Sequence, residues 1–182
     1  MVTGAWQRLS RRRKIKLSTY MPDSAVTYNR SQSAIYRNKS NRAPRSKAMS
    51  LQTVLIEDSN TIRDALIPAL ADLADAEVVA VAETAGEALE VLEKLGDTWD
   101  LAVVDLFLRE GSGLTVLRTC NERASHQRVV VLTNYPTVEM RRRSLELGAD
   151  ALFDKSNELD RFFEWCLRTD IPRSADASPP PV

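Results

Sequence analysis

Apolar and polar positions follow two alternating rhythms from Leu51 onward. Leu51 to Glu57 reads as a strand, and Ser59 to Leu73 as a helix with Ile62, Leu66, Leu70 and Leu73 on one stripe. Ala76 to Ala82 is a second strand. The helix after it turns Ala85, Ala88, Leu89, Leu92 and Leu95 inward and stops at Gly96-Asp97. Leu101 to Val104 is nearly all apolar, as expected of a central parallel strand covered on both faces, and Val129 to Leu132 repeats that character. Helices follow around Leu114 to Cys120 and Val138 to Leu147. Gly148 ends the second of these and leads into a short strand, Ala149 to Asp154. The last helix carries Leu159, Phe162, Phe163, Cys166 and Leu167 on one face, and Pro172 marks its end. Five strands alternating with five helices predict an α/β fold: a doubly wound, five-stranded parallel sheet with right-handed crossovers.

Charge divides the chain where the rhythm starts. Residues 1–50 hold 12 Lys or Arg against one acid, Asp23, a net charge of +11, while the remainder holds 13 basic and 24 acidic residues, a net charge of −11. The first segment is rich in Ser, Arg, Lys and Asn and lacks sustained periodicity. It cannot bury enough apolar area to offset the entropy of ordering, so a disordered basic arm is expected over 1–50, a folded domain over 51–170 and a disordered tail over 171–182. The arm is open to three readings: an extension from an upstream start, since Met49 lies just before the first strand; a tether for nucleic acid or an acidic surface; or an organelle transit segment. The longest apolar runs are a few residues, so no helix spans a membrane, and Met1 to Leu17 has no secretory apolar region. Cys120 and Cys166 fall in helices as small core residues, and His126 stands alone, which leaves zinc without a ligand set. A reduced, cytoplasmic setting is expected.

Ligands of open α/β sheets gather beyond the carboxyl ends of the strands. The chain puts reactive side chains there four times: Glu57-Asp58, Asp105, Thr133 and Lys155. Buried carboxylates repel one another unless a cation neutralises them, and three of them form a hard oxygen set suited to Mg2+. One carboxylate is then free to act as a nucleophile toward a phosphoryl group. Lys155 supplies opposing positive charge, and the Thr133 hydroxyl can donate to phosphoryl oxygens. Any one of these residues is as readily explained by a turn or a helix start; all four together are not. No Gly-rich phosphate loop is present, since Gly111-Ser112-Gly113 lacks both the spacing and the lysine of a nucleotide site.

The segments V-L-I-E-D-S at 54–59, V-V-D-L-F-L-R-E-G-S-G at 103–113, V-V-L-T-N-Y-P at 130–136 and G-A-D-A-L-F-D-K-S at 148–156 resemble, in order and spacing, response-regulator receiver domains. The resemblance runs from Leu51 to about Arg168. It implies a flavodoxin-like (β/α)5 three-layer sandwich in which Asp105 is the phosphoacceptor. It also implies that Asp58, Asp105 and the backbone carbonyl of Phe107 ligate Mg2+ (or Mn2+ in its place), with Glu57 holding a metal-bound water or serving as a ligand. Thr133 is then the switch hydroxyl and Lys155 the phosphate-binding lysine. A phosphohistidine on a histidine kinase or histidine phosphotransfer protein is the implied donor, and an output by protein contact is implied because only about a dozen residues follow the last helix. The competing readings are a phosphorylation-independent adaptor whose basic arm tethers nucleic acid or an acidic partner, and a hydrolase, for which further acid–base residues are not evident.

Several positions depart from the family pattern. Leu152 stands where an aromatic often turns inward, and Phe153, of opposite strand parity, is expected on the other face of the sheet. Ser156 follows Lys155 in place of a frequent proline, so a cis bond there would cost roughly 2.5–4 kcal/mol and either a trans bond or compensated strain is expected. Arg109 also replaces a frequent proline. Phe107 and Tyr135 are bulky groups bordering the phosphoryl pocket, which predicts slow hydrolysis of an acyl phosphate. Ile67 on the first helix reads either as core or as a docking contact, Trp165 as a cover or a partner surface, and Arg141-Arg142-Arg143 as a solvated helix face.

Overall fold

The computed structural model describes residues 50–168, so the expected arm (Ser50 apart) and the expected tail lie outside the described residues. Five parallel strands, β1 (Leu51–Ile56), β2 (Ala76–Ala82), β3 (Leu101–Val104), β4 (Arg128–Thr133) and β5 (Ala151–Asp154), form one sheet in the order β2-β1-β3-β4-β5. The helices between and after them are α1 (Asn60–Ala74), α2 (Ala85–Leu95), α3 (Gly113–Thr119), α4 (Val138–Glu146) and α5 (Leu159–Cys166).

The period-two alternation of strand side chains sorts the interior into two cores. Leu55, Leu101, Val103, Val130, Leu132 and Phe153 pack against α1 and α5 through Leu66, Leu70, Leu159 and Phe162. Val54, Ile56, Ala102, Val104, Val129, Val131 and Leu152 pack against α2 and α3 through Ala88, Leu92, Val116 and Leu117, with Met140 of α4 at the margin. Strand β3 is buried throughout because helices cover both of its faces, as its unbroken apolar run predicts. Leu152 and Phe153 lie on opposite faces, as strand parity requires.

Local hydroxyl groups cap the starts of α2, α3 and α4. Thr84 accepts from the Glu87 N–H at 3.1 Å, Ser112 from Leu114 at 3.2 Å and Thr137 from Met140 at 3.2 Å. Two cysteines are buried, one in each core, and burial pushes the Cys120 thiol up to about 11 and the Cys166 thiol up to about 12. Ile67 is half-buried against the α1–α5 core, which favours its core reading. Trp165 packs on the same core, makes an edge contact with Phe153 and carries the Arg128 guanidinium 5.1 Å above its ring; it is a cover.

Strand β5 begins two residues later than the sequence suggests, since the Ala149 N–H turns back to the Ser144 carbonyl at 3.0 Å. Asp150 donates its own N–H to the Val129 carbonyl at 2.8 Å, and its side chain accepts from the Val129 N–H at 2.7 Å. Its two carboxylate oxygens also receive Arg123 Nη2, each at 2.8 Å. Arg123 donates further to the carbonyls of Cys120 and Gln127, both at 2.9 Å, and its side chain is 3% exposed against 2% for Asp150. This closed pair sits at the end of the sheet opposite the strand-end residues singled out above.

Candidate functional site

Main-chain hydrogen bonds continue one residue past the strands and set the candidate residues side by side. The Glu57 N–H donates to the Ala82 carbonyl at 2.9 Å, Asp105 to Ile56 at 2.9 Å and Lys155 to Thr133 at 2.9 Å. Glu57, Asp105, Thr133 and Lys155 are therefore carried by neighbouring strands at one edge, and all four are buried. Gly113 makes room for Asp105, because a Cβ there would lie 2.1 Å from the Asp105 carbonyl oxygen. Gly111, at φ +79°, turns the same loop against Ala85, whose Cβ would lie 2.5 Å from an added Cβ.

Glu57, Asp58 and Asp105 each bring a carboxylate oxygen within 4.8 Å of the others. Lys155 Nζ donates to Glu57 Oε2 at 2.5 Å and to Asp105 Oδ2 at 2.7 Å. Three carboxylates and one ammonium leave two negative charges, the complement of a divalent cation, and oxygen donors at this spacing suit a hard ion. The residues present thus fit the implied metal. Burial raises the Glu57 carboxyl above its usual range; Lys155 pulls it down and the Asp105 charge adds to the rise. Thr133 ends β4 and accepts a long 3.4 Å hydrogen bond from the Tyr135 N–H, and among the described residues its hydroxyl proton meets no acceptor. Phe107 and Tyr135 are exposed and meet edge-on, ring centres 4.9 Å apart. Phe107 is also bridged to Ser112 across its loop.

Sequence reasoning missed Glu83. It is the residue just past β2, at the same sheet edge, and the strand-end rule applied to that strand would have found it. Its Oε1 accepts from Arg63 and its Oε2 from Arg109, each at 2.7 Å. Arg63 in turn donates to the Glu57 carbonyl at 2.6 Å and also binds Asn60. The arginine run on α4 is not uniformly solvated. Arg142 pairs with Glu139 and Glu146 on the surface, while Arg141 reaches across to the Leu152 carbonyl at 2.7 Å and to Glu158 at 2.6 Å. Leu152 itself is buried in the core. The Lys155–Ser156 bond is trans, in keeping with one of the two geometries expected there.

Residues 53–165 match the family model described as the response regulator receiver domain. A curated relative, the uncharacterized transcriptional regulatory protein YhcZ of Bacillus subtilis (strain 168), is 31% identical over 108 residues, which is 59% of this chain and 50% of the relative. The chain thus spans about half the length of the curated relative it matches. A two-component response regulator of the LuxR family from Aurantimonas sp. SI85-9A1 superposes with a TM-score of 0.57 at 24% identity, over 65% of this chain and 86% of that one. A response regulator from Burkholderia pseudomallei, solved with a phosphorylated aspartic acid, a calcium ion and citrate, gives 0.57 at 23% identity, over 67% and 69%. The fold is shared with both. Among the described residues no helix is long and apolar enough to cross a membrane.

Proposed function

The chain belongs to the response regulator receiver domain family, and from that premise we propose that it accepts a phosphoryl group on Asp105 from a phosphohistidine of a histidine kinase or histidine phosphotransfer protein. The phosphorylated domain then signals by protein contact. The observation that carries this reading is the Lys155 ammonium shared between Glu57 and Asp105 inside a buried acidic pocket.

In this reading an Asp105 carboxylate oxygen attacks phosphorus, a P–O bond forms, and the P–N bond to the donor imidazole breaks. The imidazole leaves with the bonding pair and takes up a proton. Glu57, Asp58, Asp105 and the Phe107 carbonyl would hold a divalent cation, Mg2+ or Mn2+, which would neutralise charge on the phosphoryl oxygens. Lys155 exchanges its hold on the Asp105 carboxylate for a phosphoryl oxygen, which keeps its charge paired throughout. The Thr133 hydroxyl donates to another phosphoryl oxygen, and that new bond draws the start of the β4–α4 loop toward the site. Arg141 links α4 to the Leu152 carbonyl of β5 and to Glu158, so movement at Thr133 is passed to that face through a cation, with no aromatic at position 152.

Intact mass after incubation with acetyl phosphate tests the assignment. One added phosphoryl group is expected in wild type with Mg2+, and none with chelator or in Asp105→Ala. Full labelling of Asp105→Ala would remove Asp105 as the acceptor. The decay of the same adduct reads how far the Phe107–Tyr135 pair slows hydrolysis.

A further inference from the structure

We propose that Glu83 is a positioning residue for the divalent-cation site: by holding Arg63 and Arg109 on its two oxygens, it fixes the loops that carry the ligands, and it keeps the buried Arg63 guanidinium off the carboxylates. This inference rests on reading Glu57, Asp58 and Asp105 as the cation's ligands.

Three segments meet at Glu83. The first is the turn after β1, which carries Glu57 and Asp58; Arg63 reaches back from α1 to the Glu57 carbonyl at 2.6 Å. The second is the turn from β2 into α2, which carries Glu83 itself, its N–H bound to Glu87 Oε2 at 2.8 Å. The third is the loop after β3, which carries Phe107 and Arg109. That loop meets the second turn through the Arg109–Glu83 pair at 2.7 Å and through the Ala85 N–H to Glu110 carbonyl bond at 3.0 Å. Glu83 therefore pairs both with Arg63, which holds the Glu57 carbonyl from α1, and with Arg109, from the loop that carries Phe107.

Charge gives the second half of the argument. The Arg63 side chain is 10% exposed, and its guanidinium lies against the carbonyl one peptide bond before Asp58. A buried guanidinium seeks an anion, and without Glu83 the acidic pocket that begins at Glu57, whose carbonyl Arg63 already holds, offers others. An arginine drawn into that pocket competes with a metal ion for the same oxygens. Glutamine is a sharp probe here. A carboxylate presents an acceptor to each arginine, whereas an amide presents one acceptor and turns two N–H donors toward the other.

The test is calorimetric titration of Mg2+ into the full chain, without phosphodonor, for wild type, Glu83→Gln, Arg109→Ala and the double variant, with Asp105→Asn as the site control. Glu83→Gln is expected to weaken Mg2+ binding about tenfold, the scale seen for groups that orient metal ligands. Arg109→Ala should weaken it about threefold, and adding it to Glu83→Gln should change little further, because both act through one carboxylate. The rate of phosphorylation by acetyl phosphate at saturating Mg2+ should stay within about twofold of wild type in Glu83→Gln. A merely structural loss would lower both quantities together. Unchanged affinity in Glu83→Gln overturns the inference while leaving the site reading intact. If that variant does not fold, Arg109→Ala, at an exposed position, decides alone, and unchanged affinity there overturns it. Absence of Mg2+ binding by wild type removes the site reading and this inference with it.

Discussion

At the end of the sheet where β4 and β5 begin, Arg123 and Asp150 meet through two hydrogen bonds of 2.8 Å. At the other end, Lys155 is divided between Glu57 and Asp105 at 2.5 and 2.7 Å, with Asp58 alongside. Both clusters are largely buried, and both join a basic side chain to acid from another segment of the chain. They differ in closure. Around Arg123 every charge has its opposite, and spare donors end on the carbonyls of Cys120 and Gln127. Around Lys155 the acids outnumber the base by two. A closed pair specifies a structure; an unclosed one stores an electrostatic demand that a cation and a phosphoryl group can meet in turn. Receiver chemistry needs the second kind, and the fold that carries it needs the first.

The same chemical change made at the two ends should therefore act with opposite sign. Asp150→Asn leaves Arg123 buried without its anion and leaves a single acceptor oxygen for both the guanidinium and the Val129 N–H, so stability should fall by about 3–5 kcal/mol. Urea unfolding measures it, and a loss below about 1 kcal/mol would mean that the pair is no stronger than a surface contact. Asp105→Asn relieves repulsion among three carboxylates and keeps an acceptor for Lys155. In chelator at neutral pH it should raise stability by about 1–2 kcal/mol. Excess Mg2+ should cancel or reverse that gain, because the ion binds wild type better; at a hundredfold its dissociation constant it stabilises by about 2.7 kcal/mol. A variant destabilised in chelator would show that the acidic end is closed after all.

These two ends were not equally legible in the sequence. Strand and helix order, the two-sided burial of β3 and the convergence of Glu57, Asp58, Asp105, Thr133 and Lys155 follow from periodicity and the strand-end rule, because a parallel sheet brings its carboxyl ends to one edge. Asp150 and Arg123 carry no such signal. Each looks like an ordinary loop charge, and only the packing of the β4 and β5 starts makes them neighbours. The later start of β5 was hidden as well, since it depends on the Ala149 N–H turning back to the Ser144 carbonyl. Glu83 was legible by the same rule as Glu57, but its partners were not: Arg63 and Arg109 lie 20 positions before and 26 after it, and ion pairs between loops leave no period.

The smallest effect is the most specific to the unclosed end. Burial holds the Glu57 carboxyl above its usual range, against the pull of Lys155 and with help from the Asp105 charge. The folded protein therefore keeps a proton there at pH values where the unfolded chain has released it. Stability from this group is fully present below the ordinary glutamate value and is lost as pH rises through the raised one. Glu158 runs the other way. Its burial works toward a rise, but hydrogen bonds from Arg141 and the Asp154 N–H, with the nearby arginine charges, hold it below its usual value, so its contribution is present above the ordinary value and fades as pH falls. In chelator, wild type should thus show a component that declines as pH rises above the ordinary glutamate value, at most about 1.4 kcal/mol per unit because one proton is involved. Glu57→Gln should flatten that component and leave the low-pH loss from Glu158 in place. Mg2+ should flatten it as well, since an ion bound to the Glu57 oxygens favours the ionised form. A slope that survives Glu57→Gln unchanged would place the titrating group elsewhere, and it would make the Lys155 ammonium sufficient to hold Glu57 charged in its buried position.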